Sequence, residues 1–153
     1  MEKIESFKVD HLNLFSGLYV SRVDNFKGTI VTTFDLRFTA PNREEVLSSS
    51  AMHTLEHLGA TYFRNSALKN DVVYFGPMGC KTGFYLVLAN NFSSSDLFSY
   101  VIEFLDFVIS FTGDIPGATA IECGNYKHQD LELSKQYAKK YKSDLINYKR
   151  LKY

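Results

Sequence analysis

The chain has few cysteines, no excess of either charge and no apolar run long enough to cross a membrane. Its two cysteines, Cys80 and Cys123, cannot build the disulfide framework of a small secreted protein, although they could form one bridge. The most apolar run, residues 97–111, is too short for a bilayer span and carries Glu103 and Asp106. The opening residues, MEKIESFKVD, lack the apolar core of a secretory signal. These features predict a cytoplasmic protein with reduced thiols and no membrane partner.

Positive and negative side chains balance, with 17 lysines and arginines against 17 aspartates and glutamates. No overall field therefore attracts nucleic acid or an anionic membrane. The basic residues of 135–152 are mixed with Asp144 and several tyrosines, which is typical of a solvated helix face. A chain of 153 residues without a linker or repeat predicts a single domain, residues 1–153, with a substantial core.

The spacing of apolar residues predicts an α+β fold. Four strands are predicted from β-branched and aromatic residues, at 17–23, 29–38, 72–75 and 84–89. Three helices are predicted, at 50–66, 94–111 and 127–148, with a loop and a short helix between the last two. In the second strand Phe34 and Leu36 alternate with Asp35 and Arg37, which predicts one exposed polar face. This order predicts a mostly antiparallel sheet with helices packed on one face. A partner subunit is one way to cover the other face.

The stretch AMHTLEHLGATYF, residues 51–63, places His53 and His57 four residues apart on a predicted helix. Side chains at that spacing lie on one helix face, so the two imidazoles can hold one metal ion. Such pairs also occur by chance in helices that bind nothing. A catalytic site of the zinc type further requires a third protein ligand and an open coordination position.

Two cysteines and a glutamate are the other candidates for chemistry. Cys123, in a glycine-bearing loop, would complete a set of two histidines and one thiolate, although a lone cysteine is more often a small buried hydrophobe. Cys80 lies at a glycine-rich turn, either as inert packing or as a base near a bound cation. Glu56 is placed beside the histidines as a proton carrier. His-x-x-Glu-His is also the inverted zinc-peptidase motif, in which the glutamate activates water.

The remaining polar candidates have ordinary interpretations. His11 and His128 have no partner at ligand spacing, so each is expected to play a common polar role. Arg37 is expected to be solvated or paired with Asp35, and the more specific alternative is a site for an anion or a hydroxyl-rich ligand.

Taken together, six segments of the sequence resemble the S-ribosylhomocysteine lyase (LuxS) family. In chain order they are ESFKVDH at 5–11, FDLRF at 34–38, APN at 40–42, HTLEH at 53–57, GPMGCKTGFYL at 76–86 and ECGNY at 122–126. The combination of PMGC-x-TG with HT-x-EH is far more specific than either motif alone. The resemblance covers nearly the whole chain.

The resemblance implies a homodimeric carbon–sulfur lyase that cleaves S-ribosylhomocysteine to L-homocysteine and 4,5-dihydroxy-2,3-pentanedione, the precursor of autoinducer-2. It implies one divalent metal per subunit, with ferrous iron as the native ion and zinc or cobalt as substitutes. By motif, the implied roles are metal ligation by His53, His57 and Cys123, acid/base catalysis by Glu56 and Cys80, sugar binding by Ser6, His11 and Arg37, and homocysteine binding by Arg64 and Gly124. The sites would lie at the interface, with the N-terminal segment and Arg37 reaching the partner's metal.

Two features depart from the family pattern. Family members commonly carry an acidic residue a few positions before PMGC, where this chain has Tyr74, Phe75 and Gly76. The histidine usually found after the CG pair is shifted, so His128 is given no role. Two alternatives to the lyase are a metallopeptidase that uses Glu56 and a non-enzymatic protein with a structural metal, whose site would be closed by four ligands.

Overall fold

A computed structural model of the protein describes Glu2 and residues 4–153, apart from the side chains of Glu5 and Ser6. The elements in chain order are α1 (Glu5–Lys8), β1 (Gly17–Phe26), β2 (Thr29–Arg37), α2 (Ser49–Asn65), β3 (Val72–Pro77), β4 (Gly83–Ala89), α3 (Ser94–Ser110) and α4 (Leu131–Tyr148). No helix formed by the described residues is long and apolar enough to cross a membrane.

The four strands form one antiparallel sheet in the order β1-β2-β4-β3. The β1–β2 hairpin turns at Lys27 and Gly28, whose φ values of 53° and 94° fit the tight turn that matches the twist of paired strands. The β3–β4 turn is closed by the Met78 N–H, which donates to the Gly83 carbonyl over 2.9 Å. The predicted α+β class and antiparallel sheet are confirmed.

Helices α2, α3 and α4 cover one face of the sheet and pack against one another. Phe34 and Leu36 of β2 are fully buried on that face. Phe104 of α3 meets Phe63 of α2 and Phe75 of β3, with ring centroids 5.0 and 5.7 Å apart. Burial of such side chains contributes roughly 1.5–3 kcal/mol each, so this face supplies most of the stabilisation of the fold.

The predicted helices are present, but their ends differ from expectation. Ser93 caps α3 in a reciprocal pair with Asp96, whereas Ser48 begins α2 without a side-chain cap. Helix α4 begins at Leu131 rather than at residue 127, because the Asp130 side chain accepts from the Leu133 N–H and caps the helix there. The short helix predicted before α4 was wrong, since residues 112–130, all described, contain turns and no helix.

The opposite face of β2 is polar but is not exposed where it was predicted to be. Asp35 and Arg37 are only 1% and 3% exposed. Tyr19 of β1 lies opposite Asp35 in the strand register, and its ring stacks on Tyr153 with centroids 4.6 Å apart. The expectation of a solvated Arg37 was therefore wrong, and its alternative, pairing with Asp35, is confirmed with a 2.5 Å contact.

Candidate active site

The helix α2 brings His53 and His57 to one side of the molecule, as their spacing predicted. Their Nε2 atoms are 3.0 Å apart. Both side chains are half-buried, so the pair faces a depression rather than the core.

The loop before α4 delivers Cys123 to the same point. Its sulfur lies 3.4 Å from His53 Nε2, and the three ligand atoms all lie within 4.8 Å of one another. The Asn125 N–H points at this sulfur from 3.4 Å, which favours negative charge on it. Two imidazoles and one thiolate are a set that zinc and related transition metals accept.

The hydrogen bonds of the two rings test whether this set fits a cation. His53 Nδ1 lies 2.9 Å from the carbonyl oxygen of His128, and His57 Nδ1 lies 2.7 Å from that of Pro116. A carbonyl oxygen only accepts, so each Nδ1 carries the ring proton and each Nε2 is left with a lone pair. Two lone pairs 3.0 Å apart repel unless a cation lies between them. The arrangement thus fits a bound metal, with the carbonyls fixing the ligand tautomers.

The shape of the ligand loop depends on a glycine and on contacts to α2. Gly117 adopts a φ of 71°, and a Cβ there would lie 3.3 Å from His57 Nδ1, so a larger residue would displace the ring. At the other end of the loop, Thr54 donates to the Gln129 side chain over 2.7 Å and accepts from the Asp130 N–H over 2.9 Å. Both ends of the loop that carries Cys123 are therefore fixed close to α2, the helix that carries His53 and His57.

A second group of reactive side chains surrounds Cys80 at the β3–β4 turn. The Cys80 residue is exposed, and its sulfur lies 3.1 Å from Thr82 Oγ1. Arg37 Nη1 donates to the same hydroxyl oxygen over 2.5 Å and lies 3.9 Å from the sulfur. This thiol therefore has a guanidinium beside it, although Arg37 and Cys80 are far apart in sequence.

Glu56 and His53 connect the two groups. Together they line a depression shared with Cys123 and Gly124, and they also line a second one formed by the turn residues Met78 and Gly79. Glu56 thus lies between the three candidate metal ligands and the turn that carries Cys80.

The sequence model of the family described as S-ribosylhomocysteinase (LuxS) matches residues 4–152. The chain belongs to this family. The S-ribosylhomocysteine lyase of Finegoldia magna is 49% identical over 150 residues, covering 98% of this chain and 96% of the relative. The protein of the same name from Clostridium acetobutylicum is 47% identical over 148 residues, covering 96% and 94%. That of Borreliella burgdorferi is 46% identical over 150 residues, covering 97% and 96%.

The residues that the LuxS resemblance assigned to substrate binding are dispersed. Gly124 lines the depression beside the metal ligands. Arg64 donates to the backbone carbonyls of Val72 and Val73, over 3.3 and 3.1 Å, so its guanidinium is held by its own chain. His11 Nδ1 contacts the Val9 carbonyl at 2.8 Å. The Ser6 side chain lies outside the described part of the chain.

Sequence reasoning missed residues that act through the backbone or through distant contacts. The carbonyls of His128 and Pro116 orient the two ligand rings, and a carbonyl role leaves no mark on residue type. The Thr82 hydroxyl contacts Arg37 and the Tyr153 hydroxyl contacts Asp35, and of the two only Thr82 belongs to a sequence motif, PMGC-x-TG. Tyr153 carried no signal, because its partner is 118 positions away.

Proposed function

We propose that this protein cleaves the thioether of S-ribosylhomocysteine, releasing L-homocysteine and 4,5-dihydroxy-2,3-pentanedione, the precursor of autoinducer-2. The reaction belongs to the activated methyl cycle and would take place in the cytoplasm. The observation that carries this proposal is the convergence of His53, His57 and Cys123 within 4.8 Å in a chain of the LuxS family. The names of the relatives, S-ribosylhomocysteine lyase, support it.

We propose that His53, His57 and Cys123 hold one divalent metal per subunit, with ferrous iron as the native ion. The three side chains leave a tetrahedral ion one open position, which a catalytic metal requires. When bound, such an ion supplies Lewis-acid stabilisation of negative charge on the oxygens of the sugar. Zinc and cobalt suit the same ligands. Activity of the iron form should fall in air and return after reloading with cobalt, and full activity of iron-loaded protein after oxygen exposure would contradict the assignment.

Glu56 and Cys80 are the acid/base pair in this proposal. An unactivated thioether is difficult to break, so protons must first move between adjacent carbons of the sugar until the sulfur is β to a carbonyl. Glu56 borders both depressions and can reach a substrate from the metal side, while Cys80 is exposed on the adjoining turn. The Arg37 guanidinium, 3.9 Å from the Cys80 sulfur, places a positive charge beside the proposed base.

Substrate binding is assigned to residues around these groups. Ser6, His11 and Arg37 would contact the sugar, and Arg64 and Gly124 the homocysteine part. The position of Gly124 beside the metal ligands supports its role, because a glycine there lets a ligand approach the backbone closely. Arg64 would have to exchange its two carbonyl contacts for the substrate carboxylate.

We propose that the working form is a homodimer with its sites at the subunit interface. Support comes from apolar side chains left exposed on the N-terminal segment, where Phe7 and Leu12 are each 71% exposed. The sheet face away from the helices also forms an open depression lined by Thr33, Tyr85 and Val87. Light scattering on the purified protein should give twice the mass of one chain, and a monomer at working concentration would contradict the dimer.

The decisive experiment offers S-ribosylhomocysteine and a mixture of peptides to metal-loaded protein prepared without oxygen. We expect free thiol to appear with the sugar substrate, in proportion to the metal content, and no new amine from peptides. Amine release without thiol release would instead identify a metallopeptidase that uses Glu56. Neither product from fully metal-loaded protein would favour a structural metal and overturn the proposal.

A further inference from the structure

We propose that Asp35 and Tyr153 are positioning residues, which hold the Arg37 guanidinium against the Cys80 sulfur. This inference rests on the proposed function, because it concerns how the thiol assigned to acid/base chemistry is kept in its working environment. Neither residue lies among the metal ligands, and neither contacts them.

The first observation is that several donors converge on one buried oxygen. Asp35 Oδ2 accepts from Arg37 Nη2 over 2.5 Å, from Arg37 Nε over 3.2 Å and from the Tyr153 hydroxyl over 2.9 Å. The other carboxylate oxygen, Oδ1, is buried with no hydrogen-bond partner among the described residues. A single oxygen therefore anchors both side chains, and the orientation of the carboxylate decides where the guanidinium points.

The second observation is that Tyr153 is itself fixed. Its ring stacks on Tyr19 with an interplanar angle of 18°, and Tyr19 is only 2% exposed. The Tyr19 hydroxyl donates to the Phe15 carbonyl over 3.0 Å, so the stacking surface does not move freely. Burial, and then the neighbouring Asp35 charge, raise the pKa of Tyr153 far above its ordinary value. Its hydroxyl therefore remains a donor throughout the range in which the enzyme would work.

The third observation is the direction in which Arg37 then points. With Nε and Nη2 directed at Asp35, the remaining Nη1 faces Thr82 Oγ1 and the Cys80 sulfur. Gly83 allows this close approach, because a Cβ at that position would collide with the Leu36 carbonyl. The turn that carries Cys80 can therefore lie directly against the end of β2.

Several titratable groups surround the Asp35–Arg37 pair. Burial raises the pKa of Asp35, and the Arg37 charge and the Arg37 and Tyr153 hydrogen bonds oppose that rise. The groups whose charges interact with the pair are Tyr19 from β1, Tyr85 from β4, Tyr141 from α4, Cys80 from the turn, His11 from the N-terminal segment and Tyr153. Replacing Tyr153 by phenylalanine changes none of their charges and keeps the ring stack. It removes only the hydroxyl that helps to fix the carboxylate.

The test is the alkylation rate of Cys80 by iodoacetamide at one fixed pH, followed by peptide mass spectrometry on the metal-loaded protein. In Tyr153→Phe we expect Cys80 to react about three-fold more slowly, because a less firmly held guanidinium stabilises negative charge on the sulfur less well. Cys123 in the same sample should stay unmodified, because the proposed metal occupies its sulfur. Tyr148→Phe is the matched control, because Tyr148 also lies near the end of the chain and is 59% exposed against 51% for Tyr153. Its ring contacts Arg150 instead, so its loss should leave Cys80 unchanged.

Three outcomes are informative. Slower alkylation of Cys80 alone, together with faster solvent exchange of the Arg37 Nε–H measured by NMR, supports the proposal. Unchanged or faster alkylation would overturn it, since a merely structural role would loosen the turn and expose the sulfur further. The NMR signal gives the same decision if Tyr153→Phe is too unstable to alkylate reliably. The assay does not measure lyase activity, so an inactive protein that shows the alkylation effect would count against the proposed reaction alone.

Discussion

At the end of β2, the two faces of the sheet are buried to a similar degree by different means. On the helix side, Phe34 and Leu36 of β2 are fully buried among aromatic and aliphatic side chains. On the opposite side, Asp35 and Arg37 of the same strand are almost as inaccessible but bind each other, Tyr153 and Thr82. The first face gains stability from removing apolar surface from water. The second has to offset the cost of burying two charges, so it contributes less to stability.

This difference indicates how the protein divides its tasks. A buried ion pair is weak evidence for stability, since well-packed apolar residues often serve as well. Here the Arg37 guanidinium of the pair lies beside the exposed thiol of Cys80. The positive charge is therefore placed where we propose that catalysis takes place. We therefore expect substitutions on the helix side to lower stability with little effect on turnover, and substitution of the thiol itself to do the reverse.

The largest effect is expected on the thiol side. Cys80→Ala should lower turnover by at least the ~10²- to 10⁴-fold that one general acid or base contributes. Its exposed position means that stability should change little. Homocysteine release and metal content should be measured on the same sample. Robust turnover, or loss of the metal together with activity, would mean that Cys80 does not have the separate role assigned to it.

The next largest effect is expected on the helix side. Phe104→Ala should lower the free energy of unfolding by about 3–5 kcal/mol, because it removes a fully buried ring from the aromatic cluster. Denaturant unfolding measures the loss, and Phe26→Ala, at a residue 60% exposed, is the control. Turnover per folded molecule at low temperature should be close to that of the unchanged protein. A loss of turnover per folded molecule would contradict the claim that the helix side of the sheet serves stability and the opposite side serves catalysis.

A loss of stability of similar size is expected when the Asp35–Arg37 pair is broken, and a pair of variants can separate the role of these charges in stability from their role in turnover. Arg37→Met leaves the Asp35 carboxylate buried without its cation, which typically costs about 3–5 kcal/mol. The double substitution Asp35→Asn with Arg37→Met removes both charges, so most of that stability should return while turnover stays low. Unfolding and homocysteine release on the single and double variants test this directly. If turnover recovered along with stability, Arg37 would serve the fold alone.

The smallest effect is expected at the start of α3, away from the candidate site. Ser93→Ala removes the capping contact with the Asp96 N–H and should cost about 1 kcal/mol without changing turnover. The Ser93 side chain, and then its backbone N–H, lower the pKa of Asp96. A lowered pKa contributes stability above the ordinary value of 3.8, and that contribution is lost as the pH falls through the folded value. The difference in melting temperature between Ser93→Ala and the unchanged protein should therefore shrink in acid, and a constant difference would contradict the capping explanation.

The parts of the fold that depend on local pattern were predictable. Helix α2 was expected at 50–66 and spans Ser49–Asn65, because its apolar spacing and flanking serines are local properties. The four strands were expected for the same reason, and β2 ends within one residue of its predicted end. The start of α4 was placed four residues early, since residues 127–130 have helical composition but are held by α2 through Thr54 and His53.

The candidate site was only partly predictable. The spacing of His53 and His57 placed two imidazoles on one helix face, whereas the position of Cys123 depends on a loop whose course no local pattern defines. Residue chemistry made Cys123 one candidate for the third ligand, and the family resemblance assigned it that role. The burial of Asp35 and Arg37 could not be foreseen, because it results from Tyr153 packing on Tyr19 across more than 130 residues of chain. The alternation of apolar and polar residues along β2 correctly predicted which side chains share a face of the sheet. It did not predict which residues cover the polar face.

The central claim, that His53, His57 and Cys123 share one metal ion, is tested most directly by X-ray absorption spectroscopy of the zinc-loaded protein. We predict one sulfur at about 2.3 Å and two imidazole nitrogens at about 2.0–2.1 Å, with a further light atom in the open position. Replacement of Cys123 by serine should remove the sulfur signal, and replacement of Cys80 should leave it intact. A first coordination shell without sulfur, or a sulfur signal lost with Cys80 instead, would contradict the account.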